Sequence, residues 1–201
     1  VPDLKGGSPA TQATAARKPT LATADNGVKI GTFVDDVLSV PLSAAINDNI
    51  KFGLAFWVKL ADVAGTKTFV SIQLNGAGTA SANKLLCLMF GATLQTRAVD
   101  VDRRAGVSSL DTNWRFCYLG IDCSKVTEPL QVIMSLDGNP GTVSFVNDTA
   151  WPATLLAGVT GNMLIGGTNT AGSGGPLVGS IGDLYFFHDQ LSTADQVRLM
   201  Q

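Results

Sequence analysis

The sequence predicts an all-β fold in which antiparallel strands pack as a sandwich or barrel. Three observations carry this. Strand-like apolar runs recur at short intervals from Val28 onward, separated by turn signals such as "NDN", "NGAGTASAN", "LDGNPG" and "TNTAGSGGP". No run with a helical period interrupts them. Several runs carry apolar residues on both alternating faces, the mark of strands in the middle of a covered sheet.

Residues 1–27 come first and differ in texture. "KGGSPATQATAARKPTLATADNG" is rich in Ala, Thr, Pro, Gly and Ser and has no sustained period. It reads as an extended arm, ordered where it lies on something. The rest, 28–201, reads as one domain without internal repeats. Its strand-like runs are Val28–Phe33, Val37–Val40, Phe52–Leu60, Thr68–Leu74, Lys84–Phe90, Leu94–Val101, Trp114–Ile121, Leu130–Leu136, Thr142–Val146, Met163–Gly167 and Ser180–His188.

Alternation assigns faces within the two most apolar runs. In "FGLAFWVKL", Leu54, Phe56, Val58 and Leu60 share one face; Ala55, Trp57 and Lys59 share the other. In "WRFCYLGI", Trp114, Phe116 and Tyr118 oppose Cys117, Leu119 and Ile121. A facing sheet covers one side. The second side calls for long loops, the arm or another subunit. Trp57 and Trp114 read as core.

The chain closes on "LSTADQVRLMQ". Ser192 followed three residues later by Asp195 is a capping-box variant, and Leu191 stands where a hydrophobic staple begins. Val197 and Met200 are expected to form the packed face, near Leu199. A helix of about two turns is unstable alone, so it must pack on the sandwich.

Composition excludes several classes. Apolar residues make up 45% of the 201 and charged residues only 15%, below the roughly 25% usual for soluble domains. Part of the surface is therefore apolar and suited to a partner. The net charge of −2 and the isolated pairs Arg17-Lys18 and Arg103-Arg104 offer no nucleic-acid face. The longest apolar run, Leu85–Phe90, falls far short of the roughly 20 residues of a membrane span. The chain begins at Val1 with no signal-peptide pattern, as a processed or trimmed chain would. Cys87, Cys117 and Cys123 are an odd set without Cys-x-x-Cys. They read as reduced, buried thiols of a protein that folds in a cytoplasm, and with one histidine they exclude zinc.

The closing pattern, Gly-x-Ile-x-Asp-Leu-x-Phe-Phe-x-x-x-Leu-Ser-x-x-Asp-x-x-x-Leu over residues 179–199, resembles the C-terminal signature of laminin-G-like, or concanavalin A-like, lectin/glucanase domains. "FGLAFWVKL", "NWRFCYLGID", "MSLDG" and "LIGG" resemble that family's core strands and the Asp-Gly turn. The resemblance implies a two-sheet antiparallel jelly-roll sandwich with a short C-terminal helix lying as a lid on its end.

"ATQATAARKPTL" (10–21) resembles the arm of laminin-G-like domains in bacteriophage virion proteins, with Lys18 where Arg is usual. "GTFVDD" keeps that family's Asp35-Asp36 without its glycine. This likeness implies a non-catalytic virion component: a capsid decoration, head fibre or tail-associated domain, assembled in a bacterial cytoplasm. Its implied partners are other virion proteins, a second copy of itself, or a glycan. The alternative is a lectin-like carbohydrate-binding module of a bacterial surface or secreted protein.

No catalytic set is expected. Related glucanases carry Glu-x-Asp-x-x-Glu, whereas this chain has one glutamate, Glu128, in a loop-like "TEP". Asp100 and Asp102 read as a solvated strand end. His188, the lone histidine, lacks a Gly-x-Ser-x-Gly elbow. The lyase motifs found on this fold are missing. Calcium is the candidate ion, because fifteen of the sixteen acids are Asp and many sit at turns. Asp183, at a family ion position, is the lead ligand, with Asp35 and Asp36 as alternatives. Sugar stacking is assigned to Trp151 in the loop-like "NDTAWPATL".

Overall fold

Period-two alternation of apolar residues forces these segments to pair as strands and to bury a face. The structure, a computed structural model, describes residues 15, 18–23, 29–41, 51–73, 83–98, 103–108, 110–126, 131–140, 144–145, 159, 161–169, 175–187 and 189–201. Among the described residues there are fourteen strands and one α-helix, arranged as two seven-stranded antiparallel sheets.

The first sheet contains β1 (Thr20–Thr23), β2 (Lys29–Val34), β4 (Lys51–Leu60), β9 (Trp114–Asp122), β10 (Val132–Leu136), β11 (Asn139–Pro140) and β14 (Val178–Phe187). Its spatial order is β1-β2-β14-β4-β9-β10-β11. The second contains β3 (Leu38–Pro41), β5 (Thr66–Gln73), β6 (Asn83–Phe90), β7 (Thr93–Ala98), β8 (Arg103–Ser108), β12 (Ser144–Phe145) and β13 (Asn162–Ile165). Its order is β12-β8-β7-β6-β5-β13-β3. Every strand-like run of the sequence contains a strand. Three strands were not foreseen. β1 lies in the arm and pairs with β2 through Thr20↔Thr32 to Thr23↔Lys29. β8 takes in Arg103 and Arg104, one of the isolated charge pairs. β11 is the short return of the Asp-Gly hairpin.

That hairpin follows from local chemistry. Asp137 and Gly138 both have positive φ, 53° and 74°, as a two-residue type I′ turn requires. The turn is tied to β9: Asp137 Oδ1 accepts the N–H of Phe116 at 2.9 Å, and Oδ2 accepts from Arg115 at 2.6 Å. Arg115 also grips Asp111 through Nε and Nη2, at 3.0 and 2.6 Å. The bonds from Arg115, followed by those from the Asn113 N–H and amide, hold the Asp111 carboxyl at about 2, below its ordinary 3.8.

The core lies between the sheets. Leu54, Phe56, Val58, Leu60, Cys117, Leu119 and Ile121 meet Phe69, Val70, Ile72, Leu85, Cys87, Met89 and Leu94, all buried. The void left there is about 10 Å³, roughly one water's worth. All three cysteines are free and buried. Burial raises each thiol, Cys87 and Cys123 to about 12, so none is a ready thiolate.

The second face of the first sheet is where the expectations need correcting. Its cover is the closing helix α1 (Thr193–Leu199), which lies on the sheet's outer face. Leu191, Leu199 and Met200 pack there on Ala55, Phe116 and Tyr118. Ser192 caps the helix by accepting the N–H of Asp195 at 3.2 Å and donating to its carboxylate at 2.6 Å. The buried helix residue, however, is Gln196, 2% exposed, whereas Val197 is 40% exposed. Gln196 accepts from Ser135 Oγ on β10 at 2.6 Å and donates to the Leu191 carbonyl at 3.1 Å. A polar side chain buried with both partners in place locks the helix in register.

Tyr118 clamps the linker into the helix: its Oη accepts the Leu191 N–H at 2.5 Å. The ring has room because Gly120 and Gly53 have no side chains. A Cβ on Gly120 would sit 2.6 Å from that oxygen, and one on Gly53 3.2 Å. Among the described residues no helix is long and apolar enough to cross a membrane.

Candidate functional site on the open half of the outer sheet face

The helix covers only part of this face. At the other end of the same strands the register lines up one side chain per strand: Thr20↔Thr32, Thr32↔Ser180, Ser180↔Lys59 and Lys59↔Trp114. Residues directly opposite share a face, so these five form a row across β1, β2, β14, β4 and β9. Four strand spacings make it about 19 Å long. The Thr32 and Ser180 hydroxyls are 3.2 Å apart and hydrogen-bonded. Lys59 is exposed.

Trp114 ends the row at 36% exposure. A Cβ on Gly182 of β14 would lie 3.9 Å from Trp114 Cζ3 and 3.2 Å from Trp57 Cβ. The Trp114 indole therefore reaches over β4 toward β14. An indole laid along a sheet keeps one π face on the protein and turns the other to solvent. Trp57 supports this end of the face from within. It is half-buried and meets Phe116 edge-on at 5.5 Å between ring centroids.

Asp183 adjoins this platform. It sits where the β14–β4 register shifts between Ile181 and Leu184, and it is exposed. Burial pushes the Tyr185 phenol up, and the charge and hydrogen bond of Asp183 push it further. Asp183 thus stands at the border between the open half and the helix-covered half.

The lead calcium candidate, Asp183, stands apart from the alternatives Asp35 and Asp36 in this fold. Asp35 and Asp36 follow Val34, which pairs with Val178. Asp183 lies five residues further along β14, about 16 Å away. Asp36 Oδ2 accepts the Val34 N–H at 3.0 Å in a local turn. Asp35 holds a left-handed φ of 59°, a conformation Asp tolerates in turns. Among the described residues no three His, Cys, Asp or Glu side chains come together as an ion site. Trp151, His188, Glu128, Asp100 and Asp102 lie outside the described residues.

Trp114 is the residue that sequence reasoning misassigned, since it was read as core. One signal pointed to it. Lys59 shares a face with Ala55 and Trp57, so that end of the face had to meet water. Only the register shows that Trp114 stands opposite Lys59.

No family model matches this chain, and no curated protein matches it in sequence. Solved structures do match its fold. One is a botulinum neurotoxin type C chain, whose cell entry depends on interaction with two ganglioside molecules. The match has a TM-score of 0.63 at 12% identity and covers 98% of this chain and 47% of the toxin chain. A second is the CBM40 of the Ruminococcus gnavus IT-sialidase, solved bound to α2,3 sialyllactose: TM-score 0.62, 12% identity, 97% of this chain and 100% of that one. A third is Domain 4 of AbnA, an arabinanase of Geobacillus stearothermophilus, in complex with arabinotriose: TM-score 0.60, 12% identity, 91% and 81%. The chain thus spans about half of the toxin chain and all of the CBM40. At this identity the likeness establishes the fold alone, a two-sheet antiparallel jelly-roll sandwich.

Proposed function

We propose that this chain is a non-catalytic carbohydrate-binding module whose ligand lies on the open half of the outer face. The carrying observation is the partly exposed Trp114 indole at the end of a row of hydroxyl and ammonium groups. A sugar has apolar C–H faces and hydroxyl edges. An exposed indole face suits the former, and Thr32, Ser180, Lys59 and Asp183 suit the latter. The sugar-bound neighbours of the same fold support the reading, although one fold hosts many functions.

On this reading the module belongs to a phage particle, as a capsid decoration, head fibre or tail-associated domain made in the bacterial cytoplasm. What supports that placement is the likeness of residues 10–21 to phage virion arms, together with three buried free thiols. A bacterial surface or secreted lectin is the competing location. Sedimentation of the native chain with a particle distinguishes the two.

The test of the binding reading is a glycan array probed with wild type, Trp114→Ala and Trp151→Ala. Trp114→Ala is expected to weaken every positive signal at least about tenfold while leaving the unfolding temperature within a few degrees. If Trp151→Ala removes binding and Trp114→Ala does not, the site is elsewhere. The calcium candidates Asp183, Asp35 and Asp36 are tested in the same assay by adding EDTA. Unchanged binding and unfolding temperature count against an ion.

A further inference from the structure

We infer that the ligand of this site is an anionic sugar, with its negative group held at Lys59. The inference rests on the carbohydrate-binding reading and adds the ligand's charge.

Several cations of the described residues are already engaged by carboxylates. Lys51 pairs with Asp122, Lys67 with Asp62, Arg198 with Asp195, and Arg115 with both Asp111 and Asp137. Arg115 is next to Trp114 in sequence, yet its guanidinium is saturated by two carboxylates. Lys59, opposite Trp114, makes no salt bridge among the described residues and is exposed. An ammonium beside an aromatic platform, with no carboxylate of its own, is complementary to an anion.

The neighbours of Lys59 strengthen this. Ser180 is directly opposite on β14, and Thr32 is opposite Ser180. One hydrogen bond joins these two hydroxyls, so only one of their two protons is used between them, and the other is free to point at a ligand oxygen. An ammonium plus a hydroxyl proton is the donor set a carboxylate or sulfate accepts, and charge-assisted bonds of this type are about twice as strong as neutral ones.

Asp183 is the opposing charge on this face. It lies beside Trp57, one outer-face position nearer the helix than Lys59, about 7 Å along the strand. The site is therefore polar along the strand direction. The ligand's anionic group belongs at the Lys59–Ser180–Thr32 end, and a neutral hydroxyl belongs at Asp183.

The experiment uses matched pairs that differ in charge but share their stacking faces. The pairs are a galacturonic acid trisaccharide with its methyl ester, and sialyllactose with lactose, measured by titration calorimetry beside an array of acidic, sulfated and neutral oligosaccharides. Acidic members are expected to bind at least about tenfold more tightly than their neutral partners. Lys59→Gln should erase that difference, weakening the acidic members at least about tenfold more than their neutral partners. The preference should also shrink between 0.05 and 0.5 M NaCl, as screening of an exposed pair requires. Equal binding of acidic and neutral members, with Lys59→Gln silent and Trp114→Ala destructive, overturns this inference and leaves the binding reading standing. If nothing binds, or if Trp114→Ala changes nothing, both fail. Sulfated ligands binding in place of carboxylated ones, still through Lys59, would support the inference and assign the anion as sulfate.

Discussion

Along β4 and β9 the outer positions near Gly53 and Gly120 lie sealed under the helix, whereas those near Lys59 and Trp114 face solvent. The two halves use the same strands and the same alternation, and both are aromatic. Tyr118 and Phe116 occupy one half, Trp57 and Trp114 the other. The difference is a small number of tethers. On the sealed side, Tyr118 holds the Leu191 N–H, Ser135 holds Gln196, and two glycines leave space for the tyrosine ring. On the open side, lysine and hydroxyl groups replace the tethers. The comparison teaches that an aromatic face is core or platform according to what is anchored over it, not according to its own composition.

The largest effect on this contrast is expected from Tyr118→Ala. The ring is fully buried, so its removal should cost about 3–5 kcal/mol. It should also release the helix, turning the sealed half into a second open one. Urea unfolding and hydrogen exchange of α1 check both parts. If the stability falls and exchange in α1 stays slow, Tyr118 is core but not a clamp.

Ser135→Ala is the next test. It leaves the buried Gln196 amide oxygen without its donor, at a cost of about 1–3 kcal/mol. Adding Gln196→Leu should recover part of the loss, because the orphaned amide oxygen is gone, and only part of it, because the Leu191 carbonyl then loses its donor. A double-mutant cycle with no coupling would deny the tether.

The smallest effect sharpens the open side. Asp111 holds Arg115, the residue that follows Trp114 on β9. Its folded value of about 2 lies below the ordinary 3.8. A depressed carboxyl contributes stability above its unfolded value, and that contribution is lost as pH falls from about 4 toward 2. The urea midpoint of the wild type should drop across that window, and Asp111→Asn should flatten the drop modestly, because the pair is partly exposed.

Much of the sandwich was legible because strands encode themselves in period two. "FGLAFWVKL" and "WRFCYLGI" announced both faces, "LDG" announced its turn, and "STAD" announced the helix cap. Other features were not legible locally. β8 hides in "DRRAGVS", where charges and a glycine blur the alternation. The packed helix face was read in part: Leu199 and Met200 pack as expected, but Gln196 is buried in place of the more apolar Val197 because it has the partners. Trp114 was misread because its neighbours Phe116 and Tyr118 are core and it shares their parity.

The sequence by itself determined that this chain is an antiparallel β-sandwich closed by a capped helix, since alternation, turn residues and capping act over a few neighbours. Only the tertiary structure decided that Thr32, Ser180, Lys59 and Trp114 stand in one row and that the helix stops short of them. Register between strands distant in the chain is set by burying every inner face at once, and no local pattern carries that information.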